Sequence, residues 1–261
     1  MNETIKIMSS HRSIRKYKQQ AIPDDLLNEI LNVARQASTS SNLQAYSIIV
    51  VKDQVKKSEL AEVCIKQPWI AKCPVFLVIC PDLRRLEKIA RRQGYQSNDE
   101  PIEMFIVATV DAALIAQNIL LAAESCDLGG VMIGSIRNAP VRICEMLELP
   151  DKIYPLMGIC LGYPDHEPMI KPRLQPEIVI HHEKYDDNRL DEYLDKYDQL
   201  IKATGLYEGP NRKVPSPTGK EIPDEKYSWC EHTARRLASI DPIAIRAHMK
   251  QFLLDRKFGL K

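Results

Sequence analysis

The first two thirds of the chain alternate between two hydrophobic periodicities, one helical and one extended. After Pro23, apolar residues recur at helical spacing as far as Ala34, which is the pattern of a helix with one buried face. Short β-branched runs bounded by proline, glycine or polar residues predict strands instead. The predicted strands are 47–51, 75–80, 131–133 and 156–161, and the predicted helices are 3–9, 23–34, 56–65, 84–94, 103–126 and 140–150. This mixture predicts an α+β fold.

The predicted helix at 103–126 is apolar on nearly every face. A helix of this kind is buried on most sides, in a core or in a subunit interface. Asp111 and Gln117 interrupt the apolar stretch and argue against a membrane span. Gly129 and Gly130 predict the end of the helix as a C-capping pair. Beyond them, Asn138 is expected to cap the helix at 140–150.

The last third of the chain is less regular. An amphipathic helix is predicted at 189–203, a further helix at 227–239, and a last helix from Asp241-Pro242 to Gly259. The segment 205–225 is rich in Gly, Pro, Lys and Glu and has no periodicity, so we expect a long exposed arm without a packing partner in its own chain. Because the sequence contains no repeat and no clear linker, we expect a single domain over 1–261 with a C-terminal excursion at about 189–261.

Composition narrows the class of protein. The chain has 261 residues, of which 44% are hydrophobic and 27% charged, as in soluble globular proteins. The net charge of +1 lacks the basic excess of a nucleic-acid or anionic-membrane surface. The seven cysteines have no CxxC and no metal-like spacing, which indicates reduced thiols and no metal site. The N-terminus has no apolar segment typical of a signal peptide. We therefore expect a cytoplasmic protein without nucleic-acid or membrane partners.

A basic turn at residues 11–16 is the most informative local feature. It brings three cationic side chains, a hydroxyl and an imidazole into six residues between a predicted helix and an extended run. Arginine guanidinium groups, hydroxyls and backbone N–H groups together bind phosphate dianions. The alternative is a solvated basic patch, and this turn alone leaves both interpretations open.

Three other segments carry polar groups in loops beside predicted strands. Residues 38–44 supply four hydroxyls and two amides, which can donate to and accept from a planar heterocycle. Residues 130–135 contain glycines that allow close backbone approach to a ligand. Lys171 and Arg173 flank a proline in a loop. Each segment alone is also explained as an ordinary helix end, loop or solvated turn.

Taken in order, these segments match a known pattern. The chain resembles the nitroreductase superfamily, and within it the group of oxygen-insensitive NADPH nitroreductases and flavin reductase P. The resemblance extends over essentially the whole chain. It rests on HRSIR at 11–15, ASTSSNLQAYS at 37–47, Gln67, DAALIAQNILLAAES at 111–125, LGGVMIGSIRN at 128–138, PLMGICLGYP at 155–164 and KPRL at 171–174.

The resemblance implies a nitroreductase-like FMN-binding fold, with a central, mostly antiparallel sheet flanked by helices and an extended C-terminal arm. It also implies a homodimer with one FMN per active site at the subunit interface. The implied FMN phosphate and ribityl ligands are His11, Arg12, Ser13, Arg15, Lys171 and Arg173. The implied contacts to the ring or ribityl chain are Ser40, Ser41, Asn42, Gln44, Gln67, Gly134 and Ser135.

The implied reaction is hydride transfer from NADPH or NADH through the flavin N5 to a nitroaromatic, quinone or flavin, with ping-pong kinetics. No catalytic side chain is implied, because the flavin carries the chemistry. Arg212 and Lys213 in the arm are candidates for binding NAD(P)H. Two alternatives remain open: a flavin reductase that supplies free reduced FMN, and an FMN-binding protein without significant turnover.

Overall fold

The computed structural model describes residues 2–98, 100–209 and 213–261. The chain forms two compact units. The first contains residues 1–170 together with 248–261, and the second contains residues 171–247. The expectation of a single domain over 1–261 stays a prediction.

The first unit is built on a four-stranded antiparallel sheet. Its strands are β1 (Tyr46–Val51), β2 (Val75–Pro81), β3 (Gly129–Ile133) and β4 (Met157–Gly162), in the order β1-β2-β4-β3. Every residue of β2 is buried, because this strand lies inside the sheet and both of its faces are covered. This burial explains why its sequence is a continuous apolar run. The predicted α+β fold and antiparallel sheet are confirmed.

Ten α-helices are present in the described part of the chain. They are α1 (Glu3–Ser9), α2 (Asp24–Ala34), α3 (Gln54–Val63), α4 (Pro68–Lys72), α5 (Arg84–Arg92), α6 (Ile102–Glu124), α7 (Pro140–Met146), α8 (Leu190–Ala203), α9 (Trp229–Leu237) and α10 (Met249–Asp255). The last of them returns to the first unit, where Phe252, Leu253 and Phe258 join the core. The sequence did not predict α4, whose five residues are too short for a periodic signal.

Helix α6 is the central helix of the first unit and packs against α2 and the sheet. Of the described helices, it alone is long and apolar enough to cross a membrane by composition, with mean hydropathy 1.9. Its inward face is nevertheless part of the core, where Ala108, Asp111 and Ile115 have no exposed surface. Its outward face carries an exposed apolar stripe, made of Ile102, Ile106, Val110 and Leu114 at 46%, 45%, 48% and 41% exposure.

The structure corrects the predicted role of Gly129 and Gly130. Helix α6 ends at Glu124, and Asp127 turns the chain with a φ of 60°. The two glycines are instead the first residues of β3. They are needed for packing: a Cβ on Gly130 would lie 2.5 Å from the carbonyl oxygen of Cys160.

The predicted boundaries of two helices are also wrong. Helix α7 has Ala139, not Asn138, at its N-cap. It ends before Glu148, whose left-handed backbone stops the helix. The last helix does not begin at Asp241-Pro242, because residues 242–248 form turns and α10 starts at Met249.

The described part of the arm has packing partners within the second unit, contrary to the sequence-based expectation. The Val214 amide donates to the Tyr227 hydroxyl at 2.8 Å. The Arg235 side chain, only 3% exposed, donates to the Val214 carbonyl at 3.0 Å and pairs with Glu221 at 3.1 Å. These contacts are polar and aromatic and follow no period, so a search for apolar periodicity could not find them.

Candidate functional site

The basic turn runs along the end of the sheet where β3 begins. The Ile14 amide donates to the Gly130 carbonyl at 2.9 Å, and Ser13 forms a parallel bridge with Gly130. A Cβ on Gly129 would lie 2.4 Å from Cγ1 of Ile14. The glycine pair therefore lets the turn approach the sheet closely, which fixes the path of residues 11–15.

The cationic side chains of the turn differ in their partners. Arg12 forms an ion pair with Glu167 and thereby lowers the pKa of that carboxyl group. Nδ1 of His11 lies 2.6 Å from a carboxylate oxygen of Glu124, whose pKa is raised chiefly by burial. Arg15 is exposed and makes no ion pair with any described residue. Arg15 is thus the guanidinium of the turn that is available to an external anion.

The Arg15 side chain connects the basic turn to helix α4. Its guanidinium carbon lies 5.8 Å from the ring centroid of Trp69. Gln67, a predicted ring contact, is the N-cap residue of the same short helix. The structure therefore groups Arg15 with the helix that begins after Gln67. Trp69 was not found from sequence, because a single tryptophan in an unpredicted helix gives no pattern.

The predicted ring-binding loop is exposed and conformationally strained. Ser41, Asn42 and Gln44 have left-handed backbones with φ of 47°, 56° and 52°, which non-glycine residues adopt at a cost. The Gln44 side chain donates to the Asn42 side-chain oxygen at 3.3 Å. Such strain persists only where surrounding contacts hold it, and it concentrates at functional sites.

Asp111 holds both ends of this loop. One carboxylate oxygen accepts from the Ser40 amide and the other from the Ala45 amide, each at 3.0 Å. The sequence carries a signal for this contact, because an acid in an otherwise apolar helix needs buried hydrogen-bond partners.

Gly134 and Ser135 form a short 3₁₀ turn directly after β3. A Cβ on Gly134 would meet only the end of the Arg137 side chain, at 3.5 Å. The Ser135 hydroxyl is buried and has no hydrogen-bond partner at normal distance in the described part of the chain. The thiol of Cys64 is a polar neighbour, and burial raises the pKa of that thiol to about 12. Ser135 thus has an unmet hydrogen-bonding capacity.

The basic turn and the loop at 40–45 lie at opposite ends of the sheet. The loop leads into the start of β1, which pairs with the end of β2, whereas the turn borders the start of β3 and the end of β4. Along α6, their partners Asp111 and Glu124 are thirteen residues apart, about 20 Å at helical rise. One copy of the chain does not bring these two groups together.

The remaining predicted residues belong to the second unit. Lys171 and Arg173 are exposed, and an Arg173 nitrogen lies 3.4 Å from the Lys171 carbonyl oxygen. Lys213 pairs with Asp224 and lies 5.5 Å from the Tyr227 ring centroid. Its charge is therefore already compensated. Arg212 lies outside the described residues.

The chain belongs to the nitroreductase family. The profile of that family matches residues 8–163, and the profile of the family's C-terminal domain matches residues 171–261. The FMN reductase (NADPH) of Bacillus subtilis is 40% identical over 205 residues, which cover 77% of this chain and 82% of that protein. The oxygen-insensitive NADPH nitroreductase of Salmonella typhimurium is 35% identical over 238 residues, which cover 91% and 92%.

Solved structures agree with this assignment. The NADPH:FMN oxidoreductase from Vibrio harveyi complexed with NAD⁺ matches with a TM-score of 0.83 and 34% identity, covering 99% of each chain. The nitroreductase A from Vibrio parahaemolyticus matches with a TM-score of 0.86 and 34% identity, covering 100% of each chain.

Proposed function

We propose that this protein is an FMN-dependent NAD(P)H oxidoreductase that reduces nitroaromatics, quinones or flavins. The family and the names of the relatives support this activity. The observation that carries the proposal is Arg15, an exposed guanidinium without an ion pair among the described residues, on a basic turn that the glycine pair lets approach the sheet. A guanidinium, a hydroxyl and backbone N–H groups suit the FMN phosphate.

The residues present fit FMN. Ser13, Arg15, Lys171 and Arg173 would hold the phosphate, with His11 and Arg12 beside them. Gln67 and the strained loop would contact the ring or ribityl chain, while Gly134 leaves room for a flat ring and Ser135 offers an unused hydroxyl. When bound, FMN supplies the hydride chemistry. The protein would bind, orient and shield the reactants, and Lys171 or a neighbouring backbone N–H would stabilise negative charge at the N1/O2 edge.

Donor and acceptor would share one slot against the flavin, in accord with ping-pong kinetics. In the arm, Lys213 would reach a nucleotide phosphate only by exchanging Asp224 for it. Arg212 remains the other proposed NAD(P)H ligand. Relatives named FMN reductase keep open a role in supplying free reduced FMN. We also propose that the protein is cytoplasmic.

The proposed assembly is a homodimer with FMN at the interface. The exposed apolar stripe on α6 supports this proposal, since an isolated subunit would leave it in water. The separation between the basic turn and the loop at 40–45 supports it as well. A second copy of the chain could supply the loop to the basic turn of the first.

The test compares FMN with riboflavin, which lacks the phosphate. The parent is expected to purify with FMN and to bleach with NADPH or NADH, followed by reoxidation by a nitroaromatic or quinone. Arg15→Ala should weaken FMN binding by about 1.5–3 kcal/mol, the range for a hydrogen bond to a charged group. Its riboflavin affinity should be unchanged.

Lys16→Ala is the matched control, because Lys16 is an exposed neighbouring cation. This variant should bind both flavins as the parent does. A parent that binds no flavin would overturn the proposed function. Parental FMN affinity in Arg15→Ala would overturn only the assignment of the phosphate ligand.

A further inference from the structure

Asp111 is a buried carboxylate within α6, the one described helix that is long and apolar enough to cross a membrane. It has no exposed surface, and no described residue forms an ion pair with it. Burying an ionised carboxylate is unfavourable unless hydrogen bonds compensate for the lost water. Two backbone amides, those of Ser40 and Ala45, donate to its carboxylate oxygens, each at 3.0 Å.

The two donors enclose the strained segment. Between them lie Ser41, Asn42 and Gln44, all in the left-handed region. Within the segment, the Leu43 amide donates to the Ser40 carbonyl at 2.8 Å. From outside, Arg85 donates to the Gln44 carbonyl at 2.9 Å. Asp111 is the group that contacts both ends, so its two hydrogen bonds fix the distance between them.

We propose that Asp111 is the positioning residue of the flavin-ring loop. It does not touch the cofactor. It holds residues 40–45 in the shape that presents Ser40, Ser41, Asn42 and Gln44 outward, so that ring binding meets a preformed surface. This role rests on the proposed function, because it assumes that the loop contacts the flavin ring.

The test uses Asp111→Asn, which keeps the shape of the side chain but replaces one acceptor oxygen by an NH₂ group. One of the two amides then loses its acceptor. Affinity for FMN and for riboflavin should fall together, by about 10- to 100-fold. The ratio of the two affinities should stay parental, because the phosphate contacts are untouched. In Arg15→Ala, by contrast, FMN affinity should fall while riboflavin affinity stays parental, so the ratio changes.

Hydrogen exchange separates positioning from a general structural role. In FMN-loaded Asp111→Asn, the amides of Ser40 or Ala45 should exchange faster while those of β2 stay protected. Asp53→Asn is the control, since Asp53 accepts from the Lys56 amide at 2.7 Å as the N-cap of α3. That variant should lose helix-capping energy but keep both flavin affinities.

Parental affinities in a folded Asp111→Asn would overturn the proposal, and so would faster exchange throughout the sheet. If Asp111→Asn does not fold, Asp111→Glu decides, because it keeps the charge and displaces the carboxylate by one methylene. Weaker riboflavin binding in this variant supports the proposal, and parental binding overturns it. A parent without FMN affinity would instead refute the proposed function itself.

Discussion

Replacing Gly129 by alanine tests the contact between the sheet and the basic turn. The added Cβ would lie 2.4 Å from Cγ1 of Ile14 and 3.1 Å from Cγ of Pro164. Carbon atoms in ordinary contact are about 3.5–4.0 Å apart, so Ile14 must move by about 1 Å. Ile14 is buried and its amide is bonded to Gly130. It therefore cannot move without displacing residues 11–15.

The expected loss in the free energy of unfolding is about 1–3 kcal/mol, the usual cost of overpacking a core. FMN affinity should fall more than riboflavin affinity, because the displaced segment carries the proposed phosphate ligands. The assays are urea unfolding and titration with the two flavins. Parental stability together with a parental affinity ratio would refute the packing argument.

Gly134→Ala is the matched control, because its Cβ would make only an ordinary contact with the end of Arg137. The free energy of unfolding should stay within about 0.5 kcal/mol of the parent. Both flavins should nevertheless bind more weakly, since the methyl group would occupy space proposed for the ring. If the variant binds both flavins with parental affinity, Gly134 does not contact the flavin ring.

Two further predictions concern the arm and the subunit interface. Burial lowers the pKa of His232, whose Nδ1 lies 3.1 Å from the Tyr227 hydroxyl. The packing of the arm against Tyr227 and Arg235 should therefore be fully stable above the unfolded histidine pKa of about 6.5 and weaken as the pH falls below it. Proteolysis of residues 213–223 should accelerate at low pH, and His232→Gln should remove this pH dependence. The double variant Ile106→Glu/Val110→Glu should sediment as a monomer, because it places charges in the apolar stripe of α6. The control Ile89→Glu, on an exposed face of α5, should stay dimeric. If the double variant is also dimeric, the α6 stripe is not the interface.

The sheet could be predicted from sequence because each strand carries its own signal. The buried strand β2 is a β-branched and apolar run between two prolines, and no distant residue is needed to recognise it. The basic turn was also recognisable, since its charges are adjacent in sequence. The sequence does not show which charges of the turn are available to a ligand, because the partners of His11 and Arg12, Glu124 and Glu167, lie far along the chain.

Features that depend on distant neighbours were missed or misread. Gly129 and Gly130 have the sequence of a helix end, and only the approach of Ile14 and Cys160 shows why they lie in a strand. The arm contacts of Arg235 follow no period and need the folded second unit to become visible. Asp111 interrupts an apolar run in the sequence, but its partners Ser40 and Ala45 lie about 70 positions earlier and cannot be identified from that pattern.

The thirteen-residue interval in α6 between Asp111 and Glu124 fixes the distance and the rotation between the two acids. One end sets the loop proposed for the flavin ring, and the other end holds His11 of the basic turn. A single inserted residue between them would rotate the two acids by about 100° relative to each other, since a helix has 3.6 residues per turn. Length changes within this interval are therefore not tolerable in an engineered relative.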